Sequence, residues 1–80
     1  MNLAHLLAVD LNLLLVLDTL LATRSTTATA KKLGRTQSAI SHSLARLRDA
    51  LGDELFVRRG QPLEATSHAE SIAPRLRLLL

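Results

Sequence analysis

The sequence contains no cysteine, no tryptophan and no tyrosine, and its one aromatic residue is Phe56. Without cysteine there is neither a disulfide nor a thiolate metal site. Three scattered histidines, His5, His42 and His68, lack ligand spacing, so no metal is expected, and nothing points to a cofactor. The apolar content of 48% is carried by Leu, Ala, Val and Ile. That composition favours packed helices over a sandwich or barrel, which draws on β-branched and aromatic residues. A long hydrophobic run is missing too. Leu11 to Ala22 is apolar but short, is interrupted by Asn12, Asp18 and Thr19, and has no basic region ahead of it. It reads as neither a membrane span nor a signal peptide, so a cytoplasmic, nucleoid-associated location is expected. No Ser-His-Asp arrangement, paired-carboxylate motif or phosphate loop stands out, and isolated Asp or Ser residues are explained as helix caps, so no enzyme is expected.

What is present is an uneven charge. The net charge of the 80 residues is only +3, yet Arg24, Lys31, Lys32, Arg35, Arg46 and Arg48 follow one another with no acid between them. A one-signed patch on a near-balanced chain suits a polyanion; a solvated basic face is the alternative. A single domain of this size has a marginal core, supplemented by good packing or by a partner.

Residues 1–9 form an apolar extension, read as an arm or an extra helical turn. Asp10 caps a helix over Leu11 to about Thr23. Leu11, Leu14, Leu17 and Leu21 are its core stripe. Leu13, Val16 and Leu20 form a second stripe, either a partner surface or the rest of a broad core face. Ser25 and Thr26 are candidate caps of a second helix ending at Leu33, with Ala30 and Leu33 inward, Thr29 beside them, and Gly34 placed for a left-handed terminus. The four-residue step from Ala30 to Gly34 is helix-turn-helix spacing. Thr36 caps a third helix, Gln37 to Leu51, with Ile40, Leu44, Leu47 and Leu51 on one stripe. At 100° per residue Ser38, Ser41, His42 and Ala45 fall near the opposite side, flanked by Gln37 and Arg48. That half is short and polar: Gln pairs with adenine through two hydrogen bonds, and Ser contacts bases or phosphate. An ordinary polar surface helix is the alternative.

Beyond Gly52 the period changes. Leu55 and Val57, then Leu63 and Ala65, alternate around Arg59-Gly60-Gln61-Pro62, which reads as a short hairpin with Phe56 plugging its join to the helices. Arg58 and Arg59 reach phosphate or the minor groove, or are simply solvated. Ser67 to Glu70 has capping-box form, with Thr66 the other candidate cap. Pro74 kinks the last helix or marks an early turn. Leu76, Leu78, Leu79 and Leu80 at the chain end imply a truncated N-terminal module or packing on another copy.

Three helices, a wing and a long helix, in this order and with these residues, resemble the N-terminal DNA-binding domain of LysR-type transcriptional regulators. The matching text is Asp10-Leu11-Asn12-Leu13-Leu14, Thr29-Ala30-Lys31-Lys32-Leu33, Thr36 to Ser41, Leu44 to Arg48 and Asp53 to Arg58, with Thr66 and Ala69 at the linker helix. The resemblance implies a mainly α winged helix-turn-helix over residues 10–65 and the start of a linker (dimerisation) helix over 66–80. The effector-binding domain usual in such regulators, the route to a small-molecule effector, would lie outside this chain. It implies base reading by Gln37, Ser38, Ser41 and His42, and backbone or wing contacts from Ser25, Thr26, Thr27 and Arg58. To these the charge pattern adds Lys31, Lys32, Arg35, Arg46 and Arg59, and the N-terminus of the third helix adds Thr36. It further implies homodimers on partly palindromic double-stranded DNA, with tetramers common; Leu13, Val16, Leu20, Ile72, Leu76 and Leu79 are the expected pairing residues. Thr29 stands where alanine is usual, Ser38 where proline is frequent, His42 where arginine is common, and Ala65 where a larger apolar residue is usual. Two other classes compete: the same scaffold as a protein-interaction module, and a basic amphipathic membrane binder.

Overall fold

Helix α1, Leu11–Thr23, is the centre of the molecule. Asp10 caps it, its Oδ1 accepting from the Asn12 N–H at 2.7 Å. Leu13, Leu14, Val16, Leu17 and Leu20 are all buried, so the helix is apolar over more than half its circumference. Both sides are covered from within the chain: α2, Thr26–Leu33, α3, Gln37–Leu51, and α4, Ser67–Leu79, all pack on it. The computed structural model describes residues 8–60 and 62–80. The expected N-terminal extension therefore lies, apart from Ala8 and Val9, outside the described residues, as does Gln61 of the hairpin turn.

This arrangement corrects the expected pairing surface. Leu13, Val16, Leu20, Ile72 and Leu76 are each at most 6% exposed, because α2, α3 and α4 enclose α1 between them; only Leu79 is half-buried. Conversely Leu11, expected in the core, is 63% exposed. The helix is rotated so that Leu11 and Leu15 face outward.

The turns follow local chemistry. At the end of α2 the Arg35 N–H donates to the Ala30 carbonyl at 2.9 Å and the Gly34 N–H to the Lys31 carbonyl at 3.3 Å. That paired pattern needs a left-handed residue after the helix, and Gly34 supplies it at φ +65°. Only Arg35 intervenes before Thr36 caps α3, accepting from the Ala39 N–H at 3.0 Å. Thr29, fully buried, satisfies its hydroxyl against Thr23 Oγ1 at 2.8 Å, a bond back to the preceding helix that makes threonine tolerable here. Ile40, Leu44, Leu47 and Leu51 are buried as their spacing requires.

The wing departs from simple alternation. Its strands are β1, Phe56–Val57, and β2, Glu64–Ala65, antiparallel with Phe56 opposite Ala65 and Val57 opposite Glu64. Leu55 lies outside the ladder at φ +67°. Its Glu54 carbonyl accepts from the Phe56 N–H at 2.7 Å, a three-residue turn that a side chain finds costly. The turn lets successive residues, Leu55 and Phe56, both enter the core, where alternation had placed Leu55 with Val57.

Thr66, not Ser67, caps α4, accepting from the Ala69 N–H at 3.1 Å. The helix continues through Pro74 rather than stopping there. Leu76 is buried within the chain, contrary to expectation, while Leu78 and Leu80 are 79% and 50% exposed.

Candidate nucleic-acid interface

The short α2–α3 connection aims two helix N-termini at one place. Gln37, first residue of α3, donates from Nε2 to the Thr26 hydroxyl at the start of α2, at 3.2 Å. Neither helix carries an acid in its first turn. Free N–H groups and the positive ends of two helix dipoles therefore face the same cleft uncompensated, a setting for an anion. The wing forms the other wall. The cleft, of about 570 Å³, is lined by Ser25, Thr26, Thr27 and Gln37 on the helix side and by Arg58, Gly60 and Pro62 on the wing side, with Arg24 and Leu63 completing the lining.

The outward face of α3 carries Gln37, Ser38, Ser41, His42 and Ala45, all exposed. The side chains are short, so the helix backbone can approach the floor of a groove. Asp49 continues this face toward the C-terminus; a carboxylate there is unfavourable beside phosphates, which favours insertion of the N-terminal half. Ser25 Oγ accepts from the Ala28 N–H at 3.0 Å and Thr36 does the same for Ala39. Each hydroxyl keeps its proton for a phosphate oxygen.

The structure separates the remaining expected contacts. Thr27, Lys31, Lys32, Arg35, Arg58 and Arg59 are exposed. Thr26 is only 6% exposed and its side chain holds Gln37, so its assignment as a phosphate contact is corrected to a support for Gln37. Lys31 and Lys32 occupy the last turn of α2, where they also complement the helix dipole. Arg46 is exposed but sits beside Asp10, Leu13 and Ala50, on the flank of α3 away from the wing. Arg59 lies 3.9 Å from Glu64 across the hairpin, with both side chains largely exposed, a pairing worth about 0–1 kcal/mol.

Sequence reasoning missed the residues that fix the wing. Arg24 adopts φ +56°, accepts the Leu63 N–H on its carbonyl at 2.9 Å, and pairs with Glu70 of α4 at 3.2 Å. Asp53 Oδ2 accepts from Leu55 N–H at 2.9 Å and from the Thr66 hydroxyl at 2.6 Å. Those bonds, Thr66's first and Leu55's second, hold its carboxyl below the usual carboxylate range against a small desolvation effect, and His68 adds a favourable charge. An Asp two residues before a turn is the one local sign of this; Arg24 has none.

A profile described as bacterial regulatory helix-turn-helix protein, lysR family, matches residues 11–70. Nodulation protein D 2 of Bradyrhizobium sp. (strain NC92) is 49% identical over 71 residues, covering 89% of this chain and 21% of that protein. Nodulation protein D 1 of Rhizobium meliloti (strain 1021) is 47% identical over 68 residues, covering 85% and 22%. The chain thus spans about a fifth of the length of these relatives. Among solved structures, a probable transcriptional regulator from Pseudomonas aeruginosa superposes with a TM-score of 0.88 at 42% identity, over 95% of this chain and 26% of that one. The DNA-binding domain of BenM, crystallised with catB site 1 DNA, shares the fold at a TM-score of 0.83 and 24% identity, over 89% of this chain and 80% of that one.

Proposed function

The chain belongs to the lysR family of bacterial regulatory helix-turn-helix proteins and is a winged helix-turn-helix DNA-binding domain, and we propose that it reads one half of a partly palindromic site on duplex DNA. The observation that carries this is the convergence of two acid-free helix N-termini and the wing arginine on one cleft. In this reading the N-terminal half of α3 enters the major groove. Gln37, Ser38, Ser41 and His42 meet base edges. Ser25, Thr27, Arg35 and Thr36 hold phosphates of one strand, and Arg58 holds the backbone or minor groove beside it. Lys31, Lys32, Arg46 and Arg59 add long-range attraction more than fixed contacts, since they lie at the margins of the face.

A second copy supplies the other half-site. The exposed leucines Leu11 and Leu15 of α1 and Leu78 and Leu80 of α4, rather than the buried stripe, are the surface we assign to it. Tetramers and effector sensing, in a longer regulator, are assigned to regions beyond these 80 residues, in keeping with the share of its relatives that the chain spans. No helix among the described residues is long and apolar enough to cross a membrane.

The test is a titration of duplex DNA at several salt concentrations. Binding should weaken steeply with salt, by about 0.9 in log–log slope for each phosphate contacted. A selected duplex should bind at least about 1000-fold more tightly than a shuffled one. A salt-independent complex, or equal affinity for both duplexes, overturns the proposal.

A further inference from the structure

Arg48 belongs to the recognition helix, yet its side chain turns toward the wing. Nε donates to the Glu54 carbonyl at 2.7 Å and Nη2 to the Phe56 carbonyl at 3.0 Å. These two donors lie on one edge of the planar guanidinium, and the two carbonyls flank Leu55, the residue at φ +67°. The same Glu54 carbonyl also closes the three-residue turn by accepting from the Phe56 N–H. One charged fork therefore spans the strained turn from which β1 leaves the core, and Arg58 is the first residue beyond β1. Arg48, Phe56 and Arg58 line one groove with Ser41 of α3, so the fork ties the reading face directly to the wing.

We propose that Arg48 is a positioning residue for DNA binding: it sets the wing on the recognition helix so that Arg58 meets the DNA backbone while α3 lies in the major groove. It does so through Arg58 and makes no phosphate contact of its own. A lysine cannot replace it, because an ammonium is a point charge that cannot bridge two carbonyls in a fixed plane. Two of the five guanidinium N–H groups are already committed, and the edge that carries them faces protein. The inference rests on the reading of Arg58 as a backbone contact.

The experiment is a double-mutant cycle on the 80-residue chain with Arg58→Ala, Arg48→Lys and both together. The probes are one duplex recovered from a randomised library with the unaltered chain and one shuffled duplex. Arg58→Ala should weaken binding and lower the salt slope by about 0.9. Arg48→Lys conserves charge, so a direct phosphate contact by residue 48 would leave the slope at its original value. A positioning role predicts instead that Arg48→Lys lowers affinity about five- to tenfold and lowers the slope like Arg58→Ala. The double variant should then be no weaker than the more damaging single. An unchanged slope in Arg48→Lys, or losses that multiply in the double variant, overturns the inference. An unchanged affinity and slope in Arg58→Ala overturns the underlying reading instead. If Arg48→Lys fails to fold, the unaltered protein still decides the matter by nitrogen-15 NMR. The Arg48 Nε–H should exchange more slowly than that of Arg46 and keep its shift when DNA is added; fast exchange or a large shift on binding refutes the role.

Discussion

At the scale of single residues, hydrogen-bond inventory separates reading from holding. The Gln37 amide has two donors and one acceptor. Thr26 takes one donor, leaving an N–H and Oε1, the pair that meets N7 and N6 of adenine. Gln37→Ala should therefore relax the preference at one base pair by about 1–3 kcal/mol, measured as the ratio of affinities for matched and substituted duplexes. Thr26→Val, which frees the amide without removing it, should blur the same base pair by less; an equal effect at every base pair would show that Gln37 does not read. Asp53 supplies a pH signature. Its carboxyl is held low in the folded chain by Thr66 and then by the Leu55 N–H, so the unfolded chain binds more protons. The stabilisation is complete above the unfolded value of about 3.9 and disappears as the pH falls through the lowered folded value. Asp53→Asn should be less stable than the parent at pH 7, and the gap should close below about pH 4, as followed by urea midpoints across pH. A gap independent of pH would mean that the carboxylate's charge is not what matters.

At the scale of elements, the question is how α1 can be apolar on two sides in so small a body. It is enclosed by the chain's own helices. Leu17→Ala, at a fully buried site, should cost about 2–5 kcal/mol, whereas Leu11→Ala, at a site 63% exposed, should stay within about 0.5 kcal/mol. Urea unfolding of both variants checks this, and a large loss at Leu11 would mean that its helix faces the other way. The boundaries of α1, α2 and α3 were legible in the sequence because each rests on local chemistry: Asp10, Ser25 and Thr36 as caps, Gly34 and Gly52 as stops. The exposed polar face of α3 was legible for the same reason, since Ile40, Leu44, Leu47 and Leu51 fix its rotation. What local pattern does not carry is tertiary choice. The two stripes of α1 look alike until the helices that enclose it are placed. The positive φ of Leu55 and Arg24 comes from bonds made to Asp53, Arg48, Leu63 and Thr66, partners up to 39 residues away, so alternation misread the start of β1.

At the scale of the whole molecule, a body of 30 × 25 × 20 Å presents one recognition helix, and a palindromic site needs two about 34 Å apart. Two such bodies side by side are of the size to span that distance. Leu11 and Leu15 lie on the outer side of α1, and Leu78 and Leu80 at the end of α4. Asp18, one turn beyond Leu15, carries a charge opposite to that of Arg75 and Arg77, exposed near Leu78, so an antiparallel meeting of α1 with a second copy's α4 pairs apolar with apolar and acid with base. Glutamine replaces leucine without adding charge, and so leaves the phosphate contacts and their salt slope alone. The combined Leu15→Gln and Leu78→Gln variant should keep the thermal midpoint of the dilute chain and sediment as a monomer at concentrations where the parent pairs. Its affinity for a single half-site should be unchanged, while the advantage of a duplex with two half-sites, about 100-fold or more when both are engaged, should vanish. Retention of that advantage would place the meeting surface elsewhere on the molecule.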